Sequence, residues 1–353
     1  MGKGDGWISI EIAVRGKLYT EIWFWIPVTV GLCASGHWYG NMTNKEIINW
    51  LLDGDVSIQY QVYRDLLEEE RPELRARIEK EGWGAEFLKR RLSNGHWGNK
   101  FYHPKWTSSH YTILDLRNLC ISPENTIIRE TIDLIAEKER ATDGGIHPAG
   151  SVRFSDVCIN GMFMNYAAYF GLEEKRFEEV VDFILSQKMP DGGFNCTLNR
   201  SGAVHSSLHT TISVMEGISE YEKNGYQYRL DELKKVEKTS LEFILLHHLF
   251  KSDRSGKIIN EKFLRFSFPG RWYYDILRAL DHFQYAGFEW DERMKAAIDV
   301  VLDKRNKDGS WNMQAKHPGQ VHFEMEKAGR PGRWNTLRVL RVLKHFNIKM
   351  ISE

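Results

Sequence analysis

The stretch "MPDGGFNC", residues 189–196, places an acidic residue, two glycines and an aromatic residue in a row between two helical patterns. Related turns recur at intervals of 49, 48, 62 and 55 residues: "NGHW" from Asn94, "DGGI" from Asp143, "DGGF" from Asp191, "DRSGKI" from Asp253 and "DGSW" from Asp308. Self-similarity at a period of about 50 residues is typical of proteins built from one repeated supersecondary unit. The repeat therefore decides the fold class before any single motif does.

Each repeat holds two helical patterns of different polarity. One is amphipathic, with apolar residues three and four apart, as in "NTIIRETIDLIAEKE" and "KRFEEVVDFILSQK". The other is apolar or aromatic nearly all round, as in "DVCINGMFMNYAAYF", which is typical of a helix enclosed by others. Six such outer and inner pairs, without a polar capping repeat at either end, predict an all-α fold. We expect an α/α toroid, an (α/α)6 barrel of six helix hairpins.

The N-terminal segment differs from these repeats. Its apolar part, "EIWFWIPVTVGLCASG", contains Glu21 and Pro27 and falls short of the roughly 20 clean apolar residues that a spanning helix needs. Met42 then begins "MTNKEIINWLLDGDVS", which has the pattern of a capped amphipathic helix. We predict that residues 1–41 are an extension or a mis-assigned start outside the fold. Residues 42–353 are predicted to form a single toroid domain with no stable membrane span.

The composition limits the kinds of partner and the cellular compartment that we expect for this protein. The chain carries 48 basic and 48 acidic side chains and no formal net charge, so it lacks the broad basic face that nucleic acid requires. Its four cysteines, Cys33, Cys120, Cys158 and Cys196, show no paired spacing of a disulfide framework. This pattern favours a reducing, cytoplasmic setting.

The Gly-rich turns that end in an aromatic residue resemble those of squalene and terpenoid cyclases and of protein prenyltransferase β-subunits. The resemblance covers about residues 42–353, although the chain has neither the DxDD nor the DDxxD motif of terpenoid cyclases. Prenyltransferase β-subunits bind zinc through Asp-x-Cys and a later His, and "SDVCIN" supplies Asp156 and Cys158, with His209 one repeat later. The resemblance therefore implies a zinc site, a diphosphate-facing Arg153 and a separate protein partner.

The chemistry of these residues suits a catalytic zinc. Carboxylate, thiolate and imidazole all bind zinc, and three protein ligands leave the fourth position open for substrate. Asp156 must lie at the non-helical cap, because residues i and i+2 of a helix point to opposite sides. The alternative is an N-cap Asp156 beside a buried, inert Cys158. Cys196 and His205 are further candidate ligands, for which a small buried thiol and a capping imidazole are the alternatives.

Aromatic residues and arginines at the starts of inner helices are predicted to line one mouth of the toroid and to bind substrate. Aromatic faces stabilise carbocations, as isoprenoid chemistry requires, but they also fill cores. "PGRW" occurs twice and supplies arginines that suit a phosphate, unless they tie down a loop or pair with Glu324 or Glu326. The predicted set is Trp106, His110, Arg271, Trp272, Tyr273, Arg333 and Trp334.

Three functions remain open at this stage. The first is an enzyme, similar to a prenyltransferase or terpene cyclase, that acts on an apolar isoprenoid-like ligand with Asp156, Cys158 and His209 as catalytic residues. The second is a metal-free cyclase or glycosidase in which a desolvated Asp156 is the general acid. Glycosidic chemistry requires a second carboxylate, from Asp275, Glu216 or Glu324. The third is a non-catalytic binding scaffold.

Overall fold

The computed structural model describes residues 44–148, 154–196 and 202–348. By its internal contacts the chain divides into two units, Met1–Tyr39 and Gly40–Glu353, and the described residues all belong to the second. The predicted domain boundary after residue 41 and the predicted anion ligand Arg153 lie outside the described residues, so both stay predictions. Within the described ranges, every helix is too short or too polar to cross a membrane.

Helices make up most of the regular structure of these ranges, and the all-α class is confirmed. A two-residue antiparallel ladder, β1 (Asn312–Met313) with β2 (Arg330–Pro331), ties the ends of a long loop together. A π-helix, Val62–Leu67, continues α2, and short 3-10 helices span Lys105–Thr107, Glu174–Arg176, Glu261–Leu264 and Glu292–Met294. The α-helices are α1 (Asn44–Leu52), α2 (Val56–Gln61), α3 (Pro72–Arg77), α4 (Gly82–Leu88), α5 (Ser109–Asn118), α6 (Thr126–Lys138), α7 (Val157–Tyr169), α8 (Glu178–Ser186), α9 (Leu208–Lys223), α10 (Leu230–Leu246), α11 (Ile276–Ala286), α12 (Lys295–Asp303) and α13 (Arg333–His345).

The repeated turns have one common conformation. The glycine after the acidic or amide residue is left-handed at four of them, with φ of 85° at Gly95, 87° at Gly144, 98° at Gly192 and 84° at Gly309. Glycine adopts this region without the steric penalty of a Cβ. The carboxylate of Asp191 also accepts the backbone N–H of a residue 15 positions later, at 2.8 Å. The turns therefore fix where each following helix begins.

At four of the five turns, the apolar residue that ends the turn is buried and anchored to the next helix, whereas Ile258, which ends the turn from Asp253, is exposed. The backbone N–H of the buried residue donates to a side chain within the first turns of that helix: Trp97 to Ser109 Oγ at 3.0 Å, and Phe194 to Thr211 Oγ1 at 3.0 Å. Ile146 to Asn160 and Trp311 to Thr336 repeat the arrangement, at 2.7 and 3.0 Å. Each bond satisfies a buried backbone donor that would otherwise cost free energy. We call this hydrogen bond, from the backbone N–H at the end of a turn to a polar side chain of the following helix, the polar lock. It recurs with the periodicity of the sequence.

We call α2, α5, α7, α9, α11 and α13 the buried helices, because most of their side chains are enclosed. From α5 onward, α5, α7, α9, α11 and α13 contact one another in chain order. The last, α13, contacts α1, α2 and the π-helix, so the end of the described chain returns to its beginning.

Glycines bring α7 and α9 unusually close together. A Cβ built on Gly161 would lie 2.6 Å from the carbonyl oxygen of Ser213, and one on Gly217 would lie 2.5 Å from the carbonyl oxygen of Gly161. Real Cβ atoms essentially never approach a backbone atom so closely. The two helices therefore pack backbone against backbone, a spacing that larger residues at these positions exclude.

Candidate functional site

A cavity of about 140 Å³ lies among the buried helices. Its lining combines six arginines with two carboxylates, Glu216 and Asp281. Apolar and aromatic residues complete the wall, among them Leu114, Tyr169 and Trp334. The arginines are Arg64, Arg117, Arg271, Arg278, Arg338 and Arg341.

Carboxylates hold these guanidinium groups in place. Arg278 binds Glu216 through two parallel bonds, Nε to Oε1 at 2.8 Å and Nη2 to Oε2 at 2.6 Å. Burial alone would raise the pKa of Glu216, but Arg278 outweighs it and the pKa is lowered. Arg338 and Arg341 share Asp281, whose pKa is likewise lowered by these two cations against the effect of burial. The cavity wall therefore carries fixed, oriented charges.

Three polar atoms in the wall have no hydrogen-bond partner among the described residues. They are Nε of Arg117 and, in side chains that are only 4% and 3% exposed, Nε2 of His282 and Oδ1 of Asn165. Burial lowers the pKa of His282 to about 4, so its imidazole is neutral near pH 7. A buried polar atom without a partner costs roughly 1–3 kcal/mol, so a hydrogen-bonding group in the cavity would offset this cost.

The predicted zinc ligands fall into two groups. Asp156 occupies the N-cap position of α7, and the backbone N–H of Cys158 points to Sγ of Cys196 at 3.1 Å. His209 begins α9, and its Nδ1 accepts the backbone N–H of Tyr274 at 2.7 Å. No group of three His, Cys, Asp or Glu side chains in the described ranges is arranged to hold a metal ion. The residues therefore do not form a ready site in this conformation, and zinc stays a prediction.

His205, the other candidate ligand, lies in the loop before α9 and is exposed. Its Nε2 lies 3.4 Å from Nη2 of Arg254. His205 thus faces the outer part of this loop, whereas the imidazole of His209 lies among aromatic rings.

Several of the predicted aromatic residues stack on one another. Trp272 and Tyr273 have ring centroids 3.9 Å apart, and Tyr273 stacks on His317 at the same distance. Trp106 donates its indole N–H to the carbonyl oxygen of Pro318 at 2.6 Å. The structure brings these residues together as packed rings, and they do not line the 140 Å³ cavity.

His110 is fully buried, and its Nδ1 lies 3.2 Å from the hydroxyl of Tyr166. Trp334 stacks on Phe268, with ring centroids 4.4 Å apart, and both residues line the cavity. Of the predicted aromatic set, Trp334 therefore reaches this cavity and His110 does not.

The two "PGRW" arginines have different surroundings. Arg271, which has a left-handed φ of 58°, forms a buried ion pair with Asp115 and lines the cavity. Arg333 donates to the carbonyl oxygen of Trp50 at 2.8 Å and lies over its ring. Arg333 thus ties α13 to α1. Glu326 accepts the backbone N–H of Trp334 at 3.1 Å.

Sequence reasoning missed most of the cavity. Arg278, Arg338 and Arg341 lie in "ILRALDHF" and "TLRVLRVLKHF", which read as buried helices. An arginine on an enclosed helix is rarely tolerated without a partner. These arginines could therefore have predicted, from the sequence alone, that the interior contains polar groups. His282, from the same stretch as Arg278, carried no motif.

Asp275, a candidate second carboxylate of the metal-free prediction, caps α11 by accepting the backbone N–H of Arg278 at 2.9 Å. Burial raises its pKa from 3.8 to about 6, although Arg338 and Arg278 oppose this. Because the pKa in the folded state lies above that of the unfolded chain, the wild type loses stability as the pH rises from about 4 to about 6.

Asp275→Asn keeps the cap without titrating. We therefore expect its free energy of unfolding, relative to that of the wild type, to rise by about 2 kcal/mol between about pH 4 and about pH 7. Urea unfolding at a series of pH values measures this difference. Parallel pH profiles of the two proteins would contradict the expected shift.

No family model matches the chain, and no curated protein matches it. Among solved structures, the chain is similar to a variant of the type II terpene cyclase MstE from Scytonema, in complex with its product merosterolic acid A. The match covers 86% of this chain and 99% of that chain, at 12% identity and a TM-score of 0.33. Similarity at this level carries no argument about the function of this chain.

Proposed function

We propose that the protein is an α/α-toroid enzyme that binds and transforms a small organic anion in the cavity among its buried helices. The toroid is supported by the ordered contacts from α5 to α13 and by the return of α13 to α1 and α2. The single observation that carries the function is the cavity wall, in which six arginines line the same space as the unpartnered Nε2 of His282.

The charge of the wall defines the chemical class of the ligand. Guanidinium groups bind carboxylate and phosphate through parallel N–H donors in a planar fork. Carboxylates already hold Arg278, Arg338 and Arg341 in fixed orientations, so little side-chain entropy is lost when an anion binds. An apolar ligand would leave the unpartnered atoms of His282 and Asn165 without a hydrogen bond.

The size of the cavity favours a small ligand. Pockets for drug-sized molecules measure roughly 300–1,000 Å³, whereas a cavity of about 150 Å³ holds a molecule the size of benzene. At about 140 Å³, the cavity suits a short mono- or dicarboxylate or a small phosphate better than the isoprenoid that the sequence predicts. Its existence also favours an enzyme over a plugged binding scaffold.

His282 is the residue best placed for proton transfer. Its neutral imidazole, next to the charges of Glu216 and Arg278, can accept a proton from a bound acid or alcohol and return it later. Glu216, held as a carboxylate by Arg278, would stabilise the imidazolium that forms.

Anion binding to the full chain is the test of this proposal. We expect malonate, oxalate or inorganic phosphate, at constant ionic strength, to bind by calorimetry and to raise the unfolding temperature. A ligand at 100 times its Kd stabilises the folded state by about 2.7 kcal/mol. Asn165→Asp places a negative charge in the same wall and should abolish binding, whereas Asn347→Asp, an exposed control, should not. Binding of geranyl or farnesyl compounds, but not of these anions, would overturn the proposal in favour of an isoprenoid.

The zinc prediction is a second candidate, because Asp156, Cys158 and Cys196 lie close together at the start of α7. It expects about one zinc per purified, untagged chain, since three protein ligands define one catalytic site. Mass spectrometry of the wild type beside Cys158→Ala and His209→Ala measures the metal. Zinc that both variants lose without unfolding would support this candidate. A wild-type protein that still contains no zinc after refolding in the presence of zinc would contradict it.

A further inference from the structure

Cys120 contributes the one thiol to the cavity wall among the described residues. It follows the last turn of α5, adopts a left-handed φ of 60° and is 8% exposed. A residue with a Cβ is strained in this conformation, and such strain persists only where the surroundings enforce it. Two hydrogen bonds hold this conformation. The backbone N–H of Cys120 donates to the carbonyl oxygen of Arg117 at 2.9 Å, and the carbonyl oxygen of Cys120 accepts from Nε of Arg75 at 3.3 Å.

A guanidinium group is fixed against the sulfur. Arg64 Nη1 donates to Sγ of Cys120 at 3.2 Å. The other edge of the same guanidinium binds Asp65, with Nη2 to Oδ2 at 2.9 Å. Asp65 is in turn anchored by Arg341 at 3.2 Å. Arg64 is therefore held so that one N–H remains for the sulfur, and Cys120 lies against a fixed cation at the cavity wall.

The cavity itself supplies the independent indication of a ligand. His282 Nε2 and Asn165 Oδ1 are in side chains more than nine-tenths buried, line the same space and have no partner among the described residues. Cys158 and Cys196 lie outside this site. They contact each other, and neither of them lines the cavity.

We propose that Cys120 is a nucleophile that forms a covalent bond with small anionic electrophiles held in the cavity. The arginines position the anionic group, and the sulfur attacks the electrophilic carbon beside it. A sulfur–carbon bond forms, the bond from that carbon to its leaving group breaks, and the leaving group departs with the electron pair. The thiol proton passes to His282 or to solvent. The proposal rests on the anion-binding function of the cavity and adds a covalent step to it.

Iodoacetate and iodoacetamide test this directly, because they place the same leaving group beside a carboxylate and beside a neutral amide. The folded full chain is treated with each reagent, and the alkylation of every cysteine is followed by peptide mass spectrometry. We expect Cys120 to prefer iodoacetate at least about tenfold more strongly than Cys158 and Cys196 do in the same sample. One charge-assisted hydrogen bond accounts for a ratio of that size.

Three comparisons make the test specific. Arg64→Gln should remove the preference of Cys120 for iodoacetate while the protein stays folded, because Asp65 retains Arg341. Arg64→Lys should restore part of it, and malonate should slow the alkylation of Cys120 alone. Circular dichroism of each variant confirms that the fold is intact.

The outcomes separate this inference from the proposed function. If malonate binds by calorimetry but Cys120 reacts only after unfolding, or reacts equally with both reagents, the nucleophile is overturned and the anion site stands. If malonate, oxalate and phosphate all fail to bind and Cys120 shows no preference for iodoacetate, both are overturned.

Discussion

Replacing Arg271 with methionine is expected to lower the free energy of unfolding by about 3–5 kcal/mol, because it leaves Asp115 buried without its cation. The two side chains are 5% and 4% exposed, and the guanidinium is the counter-ion of this carboxylate. Burial raises the pKa of Asp115 to about 6 even with Arg271 present. Without Arg271 the carboxyl must take up a proton or remain as an unpaired charge, so part of the loss should be recovered at low pH.

The double variant Asp115→Asn/Arg271→Met is the matched control. Since it removes both charges, it should recover most of the stability lost by Arg271→Met, which urea unfolding of the wild type and three variants measures as a coupling free energy. A loss below about 1 kcal/mol for Arg271→Met, the range of an exposed ion pair, would show that water reaches this pair and that it does not support the interior.

Replacing Gly161 with alanine is the second prediction with a large effect. Alanine favours a helix interior by about 1 kcal/mol over glycine, so propensity alone would stabilise α7. The added Cβ, however, would lie 2.6 Å from the carbonyl oxygen of Ser213 and 2.8 Å from Cα of Val214. Backbone atoms cannot turn aside as a flexible side chain can, and α7 and α9 must separate. We expect the steric cost to win, with a net loss of about 2–3 kcal/mol.

Chemical unfolding of Gly161→Ala and Gly217→Ala measures this effect at the two sides of the same contact. Their losses should not add in the double variant, because a single separation of the helices relieves both clashes. Gly270→Ala is the control, since a Cβ there would lie 4.0 Å from Cδ of Arg278, its nearest contact outside the neighbouring residues. Equal stability of Gly161→Ala and wild type would mean that the helices are packed less closely than described.

The fold class could be predicted because its determinants are local and repeated. Four of the five turns combine a glycine that takes a left-handed φ, such as Gly192, with a buried apolar residue, such as Phe194. Both features appear in the sequence at the same spacing. The polar lock from Phe194 to Thr211 escaped prediction, because Ser, Thr and Asn carry it at different repeats and no fixed motif results.

The candidate site was predicted less well, for a physical reason. Motifs drew attention to the first turns of the buried helices, where Asp156 and His209 lie. The cavity instead depends on how α11 and α13 are rotated about their axes. This rotation decides whether Arg278 and Arg338 face the cavity or the apolar core. Sequence periodicity alone does not fix that rotation when apolar residues surround the arginines. The zinc site from Asp156, Cys158 and His209 remains a prediction for metal analysis.

The contact of α13 with α1 and α2 has a consequence for the making of the protein. Roughly 280 residues separate the end of α1 from the start of α13. A ribosome that adds about 5–20 residues per second needs roughly 15–60 s to translate that interval. Throughout this time Trp50 lacks Arg333 and Asp65 lacks Arg341. The newly made chain must therefore wait, with α1 and α2 incompletely covered, until α13 has left the ribosome. A stop codon just before α13 would be as harmful as one much earlier.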